Sequence, residues 1–157
     1  MLKPRKPKTL ARELVWPEFT WIDDCLLLRS QATRNRRRLK VTHDRTDLEC
    51  WVNHVHILDY FEHSAGLDDE PWYDRNSPDF ASACDIGKSV ARLWLEKLRS
   101  EFPDTPVRVL YSANDNPNIR FHVYRDSEGL YLDPQSWTRE IAAGEMLFLS
   151  TDGGSTD

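Results

Sequence analysis

Apolar side chains occupy both alternating positions along residues 48–61, LECWVNHVHILDYF. A strand with one face in water alternates apolar and polar residues, whereas a strand covered on both faces does not. The pattern therefore predicts a central strand of the sheet. Because side chains two apart along a strand point the same way, we expect His54 and His56 to share one face.

The most regular pattern begins at Ser77, which can cap a helix, followed by Pro78 and Asp79 in its first turn. Apolar residues then recur with a period of about 3.6 until Pro103 ends the helix. We expect this long amphipathic helix to pack on one face of the sheet. Gly87, which has no side chain, is expected to let helix and sheet approach closely.

The remaining patterns are shorter. Thr9 can cap a short helix that Pro17 ends, and Asp133 begins a second helix that Gly144 ends. Strands are expected over Phe19–Arg29, with a kink or bulge at Asp23 and Asp24, and over Val107–Tyr111, Ile119–Arg125, Leu130–Leu132 and Met146–Leu149. The sequence therefore predicts an α+β fold: a mostly antiparallel sheet of about five to six strands with one long amphipathic helix and a shorter C-terminal helix packed on it.

A chain of 157 residues suits one domain, which we place at residues 9–149. Residues 1–8 are expected to form a flexible basic tail and residues 150–157 a disordered one. No apolar run approaches the ~20 residues of a membrane helix, and no secretory signal is visible. Three cysteines outside any motif spacing suit a reducing cytosol. We expect a soluble cytoplasmic protein with no membrane partner and no cofactor; its oligomeric state stays open.

Charge is unevenly distributed along the chain. Residues 1–45 contain twelve Lys and Arg against five Asp and Glu, whereas the remainder contains nine against twenty-one. Such a protein either meets two partners of opposite charge or neutralises itself internally. Both alternatives stay open at this stage.

An acidic segment with aromatic residues lies between residues 62 and 79. Loops beyond about 12–15 residues without secondary structure are usually functional or disordered. Aromatic anchors inside a negative rim suit docking on a basic protein surface; the alternative is that the aromatic pair folds back over the core. The predicted partner-binding residues are Asp68, Asp69, Glu70, Trp72, Tyr73 and Asp74.

A basic segment precedes the turn-forming residues HDRTD at 43–47. We expect a long antiparallel hairpin with a basic arm, which could bind a nucleic-acid backbone together with the basic tail. The predicted nucleic-acid-binding residues are Arg34, Arg36, Arg37, Arg38 and Lys40.

Histidines supply a further hypothesis. His54 and His56 could ligate one metal, with His122 added from a later strand, and the metal would activate water for hydrolysis. Arg120 is expected on the same face as His122, where its positive charge opposes a cation. The alternative is that these are hydrogen-bonded histidines of a half-buried sheet.

The sequence thus favours a small non-enzymatic binding protein, an inhibitor resembling immunity proteins or a subunit of a larger macromolecular assembly, with a protein partner. Its contact surfaces would be the acidic aromatic segment and the basic arm. A metal-dependent hydrolase or nuclease built on the three histidines is the alternative. Nucleic-acid binding through the basic arm is the second alternative.

Overall fold

A computed structural model of the chain describes residues 2–37, 39, 44–62 and 74–153. The helices are α1 (Pro7–Thr9), continued by a π-helical turn over Leu10–Val15, then α2 (Arg29–Arg34), α3 (Arg45–Val52), α4 (Pro78–Glu101) and α5 (Thr138–Ala142). The strands are β1 (Lys3–Pro4), β2 (Phe19–Ile22), β3 (Cys25–Leu28), β4 (Val55–His56), β5 (Phe61–Glu62), β6 (Val107–Ser112), β7 (Asn118–Val123) and β8 (Met146–Ser150). We refer to α1 and its π-helical continuation as the N-terminal helix. No helix in the described part of the chain is both long enough and apolar enough to span a bilayer.

The predicted α+β class is confirmed. The strands pair antiparallel in a four-stranded sheet of order β4-β7-β6-β8, a β2–β3 hairpin and a β1–β5 ribbon, rather than in one sheet. The ribbon pairs Lys3 and Pro4 of the expected tail with Glu62 and Phe61.

Helix α4 packs across the four-stranded sheet and forms the main core with it. Its cap is the one expected, because the Ser77 hydroxyl accepts a hydrogen bond from the Phe80 amide at 3.1 Å. Gly87 confirms the predicted close approach: a Cβ at this position would lie 2.7 Å from the Tyr111 ring and 3.3 Å from Ile57. Trp94 is fully buried on the same face.

The opposite face of the sheet is covered by the segment that leads into α5, which packs on a smaller apolar cluster. Leu130–Leu132 lies in this covering segment, so the strand predicted there is wrong. An isolated bridge between Arg125 and Gly129 precedes it. As expected, Asp133 is a cap and Gly144 follows the end of the second helix: Asp133 caps a 3₁₀ turn over Pro134–Trp137 that leads into α5, and Gly144 has a left-handed φ of 69°.

The central strand predicted over residues 48–61 is wrong. Its first part belongs to α3, which begins where the Asp44 carboxylate accepts a hydrogen bond from the Asp47 amide at 3.1 Å. The buried apolar residues of α3, Leu48, Cys50 and Val52, alternate along the chain as they would in a strand, and the buried residue that restores the helical spacing is polar Glu49. Only Val55–His56 enters the sheet, as the short edge strand β4.

Two further predictions are corrected, the single strand over Phe19–Arg29 and the hairpin with the basic arm. Residues 19–28 form two paired strands joined at Asp23 and Asp24, whose φ angles of 47° and 63° make a tight turn instead of a kink. The hairpin predicted with the basic arm is corrected at its two described ends, because Arg34 ends α2 and Arg45–Val52, expected to lead into the second strand, forms α3. Of the arm's residues, Arg38 and Lys40 lie outside the described part of the chain.

Candidate functional site

The N-terminal helix is joined to α2 by Glu13 and Arg34. One guanidinium nitrogen of Arg34 donates to both carboxylate oxygens of Glu13, at 3.0 and 2.8 Å. On its buried side the N-terminal helix is attached to α4, because the Trp94 indole N–H donates to the carbonyl of fully buried Leu14 at 2.6 Å. The N-terminal helix is thereby attached to both α2 and α4.

Two clefts share the Glu13–Arg34 ion pair in their walls, and we call them together the basic groove. The first has a volume of about 380 Å³ and lies between the N-terminal segment, α2 and residues 54–60. The second has a volume of about 420 Å³ and lies between the N-terminal helix and α2. Both volumes fall in the range of about 300–1,000 Å³ that is typical of ligand clefts.

The basic groove is lined by more positive than negative side chains. Six cationic side chains line it: Arg5, Lys6, Lys8, Arg12, Arg29 and Arg34. Three carboxylates, Glu13, Glu18 and Asp59, accompany them. Glu13 and Glu18 pair with Arg34 and Arg29 at 2.8 and 3.3 Å. Exposed Arg36 and Arg37 follow directly at the end of α2, so the groove presents a positive field to solvent.

One wall of the second cleft carries Trp16, which leaves 55% of its surface exposed. Tyr60 lies in the first cleft, where burial and then the nearby Glu13 carboxylate raise its pKa to about 12. The groove therefore combines cationic side chains with an accessible indole and a phenol that stays protonated at neutral pH.

His54 and His56 are adjacent, as predicted, and both line the first cleft. Their ring centroids lie 4.3 Å apart. Burial, then Arg120, then His56 lower the pKa of His54 to about 4, so this imidazole is neutral at physiological pH. Nε2 of His54 and Nδ1 of His56 are buried and have no hydrogen-bond partner among the described residues.

The structure separates His122 from this pair. His122 is 1% exposed and lies beside the smaller apolar cluster under α5, in a small cavity of about 90 Å³ with Arg108 and Leu110. Its Nδ1 lies 3.0 Å from the Val123 carbonyl, and burial lowers its pKa despite this contact. In residues 2–37, 39, 44–62 and 74–153, no three His, Cys, Asp or Glu side chains are placed to hold a metal ion.

The acidic aromatic segment falls almost entirely outside the described residues. This holds for Asp68, Asp69, Glu70, Trp72 and Tyr73. Asp74 is described: it is exposed, and its carboxylate accepts a hydrogen bond from the Asn76 amide at 2.9 Å.

Sequence reasoning missed that the basic tail and the basic arm build one surface. Lys8 and Arg12 are four residues apart, a spacing that places them on one face of a helix, and this signal could have indicated a basic helical face. Their proximity to Arg29 and Arg34 depends on tertiary packing and had no sequence signal.

Comparisons with known proteins complete the description of the site. No curated protein and no solved structure matched the chain. A protein-family model does match it over residues 5–138, which include every residue that lines the basic groove. On that match, the chain belongs to the family described as the Uncharacterized protein PM0498 family.

Proposed function

We propose that the protein is a non-enzymatic binding protein that holds an anionic macromolecule in the basic groove. The observation that carries this proposal is the Glu13–Arg34 ion pair between the N-terminal helix and α2, around which six Lys and Arg side chains line two adjoining clefts. A partner of opposite charge would be attracted over distance and oriented on contact. An inhibitor or a subunit of a larger assembly would work in this way.

The acidic aromatic segment stays part of the proposal on sequence grounds, as a second contact surface for a basic protein partner. Its charge is opposite to that of the groove, so the two surfaces suit different partners. Reversing the charge of Asp68 and Asp69 would then weaken capture of a basic partner without affecting the groove.

The metal-dependent hydrolase receives less support from the geometry. Its three histidines lie in two separate cavities. Arg120 also contributes positive charge at His54, which opposes a second cation there.

The proposal is tested by retention on immobilised heparin, a polyanion, in a salt gradient. Arg12→Glu should elute at clearly lower salt than the wild type, because Arg12 lies in the groove. Arg139→Glu is the matched control: it makes the same charge change at an exposed residue of α5. Equal shifts for both variants, or no retention of the wild type, would contradict the proposal.

A further inference from the structure

Trp16 is an exposed aromatic residue whose backbone and ring both make contacts. Its amide donates to the Ala11 carbonyl at 2.9 Å, and Pro17 follows it. The Lys97 ammonium lies 4.7 Å from its ring centroid, is itself only 8% exposed and pairs with Glu101 at 2.5 Å. A cation–π contact of this kind fixes one face of the indole and leaves the rest of the exposed ring available to a partner.

A row of ring contacts continues from Trp16 to a second exposed indole. Lys97 also lies 5.7 Å from the Phe19 ring, and Phe19 packs edge-on against Phe102 at 6.2 Å. Phe102 in turn contacts Trp21 at 6.2 Å, and Trp21 is 46% exposed. Two exposed tryptophans therefore stand at the ends of one aromatic row, and the first of them lies in the wall of the basic groove.

The position of the charges distinguishes between classes of anionic partner. In protein–protein interfaces the buried centre is depleted of charged residues and the rim is polar. In this groove the clefts themselves are lined by Lys and Arg, with the aromatic surface beside them. Proteins that hold single-stranded nucleic acids have this arrangement: a positively charged groove follows the backbone and exposed aromatic rings stack on the bases.

Resting on the proposed function, we infer that the anionic partner is a single-stranded nucleic acid, with Trp16 as a platform for one base. Lys8, Arg12 and Arg29 lie in the same cleft as Trp16 and contact the phosphates. A paired duplex keeps its bases stacked on each other, so only an unpaired base is free to stack on the indole.

The test measures binding of a fluorescein-labelled U12 RNA by anisotropy at fixed salt. Trp16→Ala should weaken binding on the order of 5- to 150-fold, the range for loss of one base–aromatic stack. Trp16→Phe keeps a ring and should restore most of the affinity. Trp51→Ala, which removes a tryptophan that is also 46% exposed but lies on α3, is the matched control and should bind like the wild type.

A second readout does not depend on the Trp16→Ala variant. Saturating RNA should quench the intrinsic fluorescence of the wild type, and the quenching should fall in Trp16→Phe because the stacked indole is gone. This measurement still tests the inference if Trp16→Ala fails to fold, as judged by circular dichroism.

Each outcome separates the inference from the proposed function. If Trp16→Ala binds RNA and heparin like the wild type while Arg12→Glu binds both weakly, base stacking is overturned and polyanion binding stands. If poly-glutamate binds more tightly than RNA and loses affinity in Trp16→Ala, the partner is an acidic protein and the inference is overturned. If Arg12→Glu behaves like Arg139→Glu on every polyanion, the proposed function fails as well.

Discussion

The Glu49 carboxylate, which has no exposed surface, is held by the Arg125 guanidinium through two hydrogen bonds of 2.8 and 2.9 Å. The same carboxylate accepts hydrogen bonds from the amides of Leu26 and Val123, at 2.8 and 2.7 Å. One side chain of α3 thus connects the β2–β3 hairpin to the four-stranded sheet. One helical turn later, the Asn53 side chain also connects β3 to β7: it accepts a hydrogen bond from the Leu28 amide and donates to the carbonyls of Leu26 and Phe121.

Removing Arg125 should strongly destabilise the fold. Arg125→Ala leaves the Glu49 charge buried without its counterion, and losses of about 3–5 kcal/mol are typical for such changes. Chemical denaturation would measure the free energy of unfolding. Arg139→Ala, at an exposed position, should stay within about 0.5 kcal/mol of the wild type. A loss below about 1 kcal/mol for Arg125→Ala would contradict this prediction. It would mean that the Arg125–Glu49 pair stabilises the fold no more than an ion pair on the surface does.

His54 should make stability depend on pH. Its pKa is lowered from 6.5 to about 4 in the folded state, so the unfolded chain binds more protons between these values. The contribution of His54 to the free energy of unfolding should therefore fall as the pH drops from 6.5 to 4 and stay constant below 4. NMR titration of the His54 ring should give a midpoint near pH 4.

Arg120→Gln separates the causes of this shift. Because burial is the largest cause and Arg120 the next, the variant should raise the His54 pKa while leaving it below 6.5. A wild-type midpoint near 6.5 would instead mean that the ring is solvated in the folded protein.

Gly87→Ala should destabilise the contact between α4 and the sheet. The added methyl group would lie 2.7 Å from the ring of Tyr111, which is fully buried, so one of the two must shift. Overpacking of this kind typically costs about 1–3 kcal/mol, which thermal denaturation would detect as a lower Tm. Ser89→Ala, an exposed change on the same helix, is the control. A Gly87→Ala variant as stable as the wild type would mean that the sheet adjusts at Tyr111.

Local chemistry made part of the fold predictable. The start of α4 was predictable because Ser77 and Pro78 are residue types that favour the first positions of a helix. Its close packing was predictable because Gly87 has no side chain. The strand prediction for residues 48–61 failed because polar Glu49 and Asn53 occupy buried positions of α3, so its apolar residues alone do not show the helical period. The capping pair of Asp44 and Asp47 was the local signal for a helix, and it was interpreted as a turn.

The candidate site was predictable only in its parts. The histidine pair followed from the spacing of His54 and His56, and the structure brings their rings together. The groove depends on the ion pair between Glu13 and Arg34, which are 21 residues apart, and no periodicity encodes such a contact. Sequence therefore supplied the charges of the groove and tertiary packing supplied their arrangement.

The hydrogen bond from Trp94 to Leu14 spans 80 residues and has a consequence for biosynthesis. A ribosome makes the cationic segments first and the helix that supports them much later. While the chain is growing, Lys8 and Arg12 are present but the groove is not. The helix α4, to which the N-terminal helix is attached through Trp94, has yet to be translated. The nascent protein thus acquires its positive charge early and its shaped surface only when synthesis has passed Trp94.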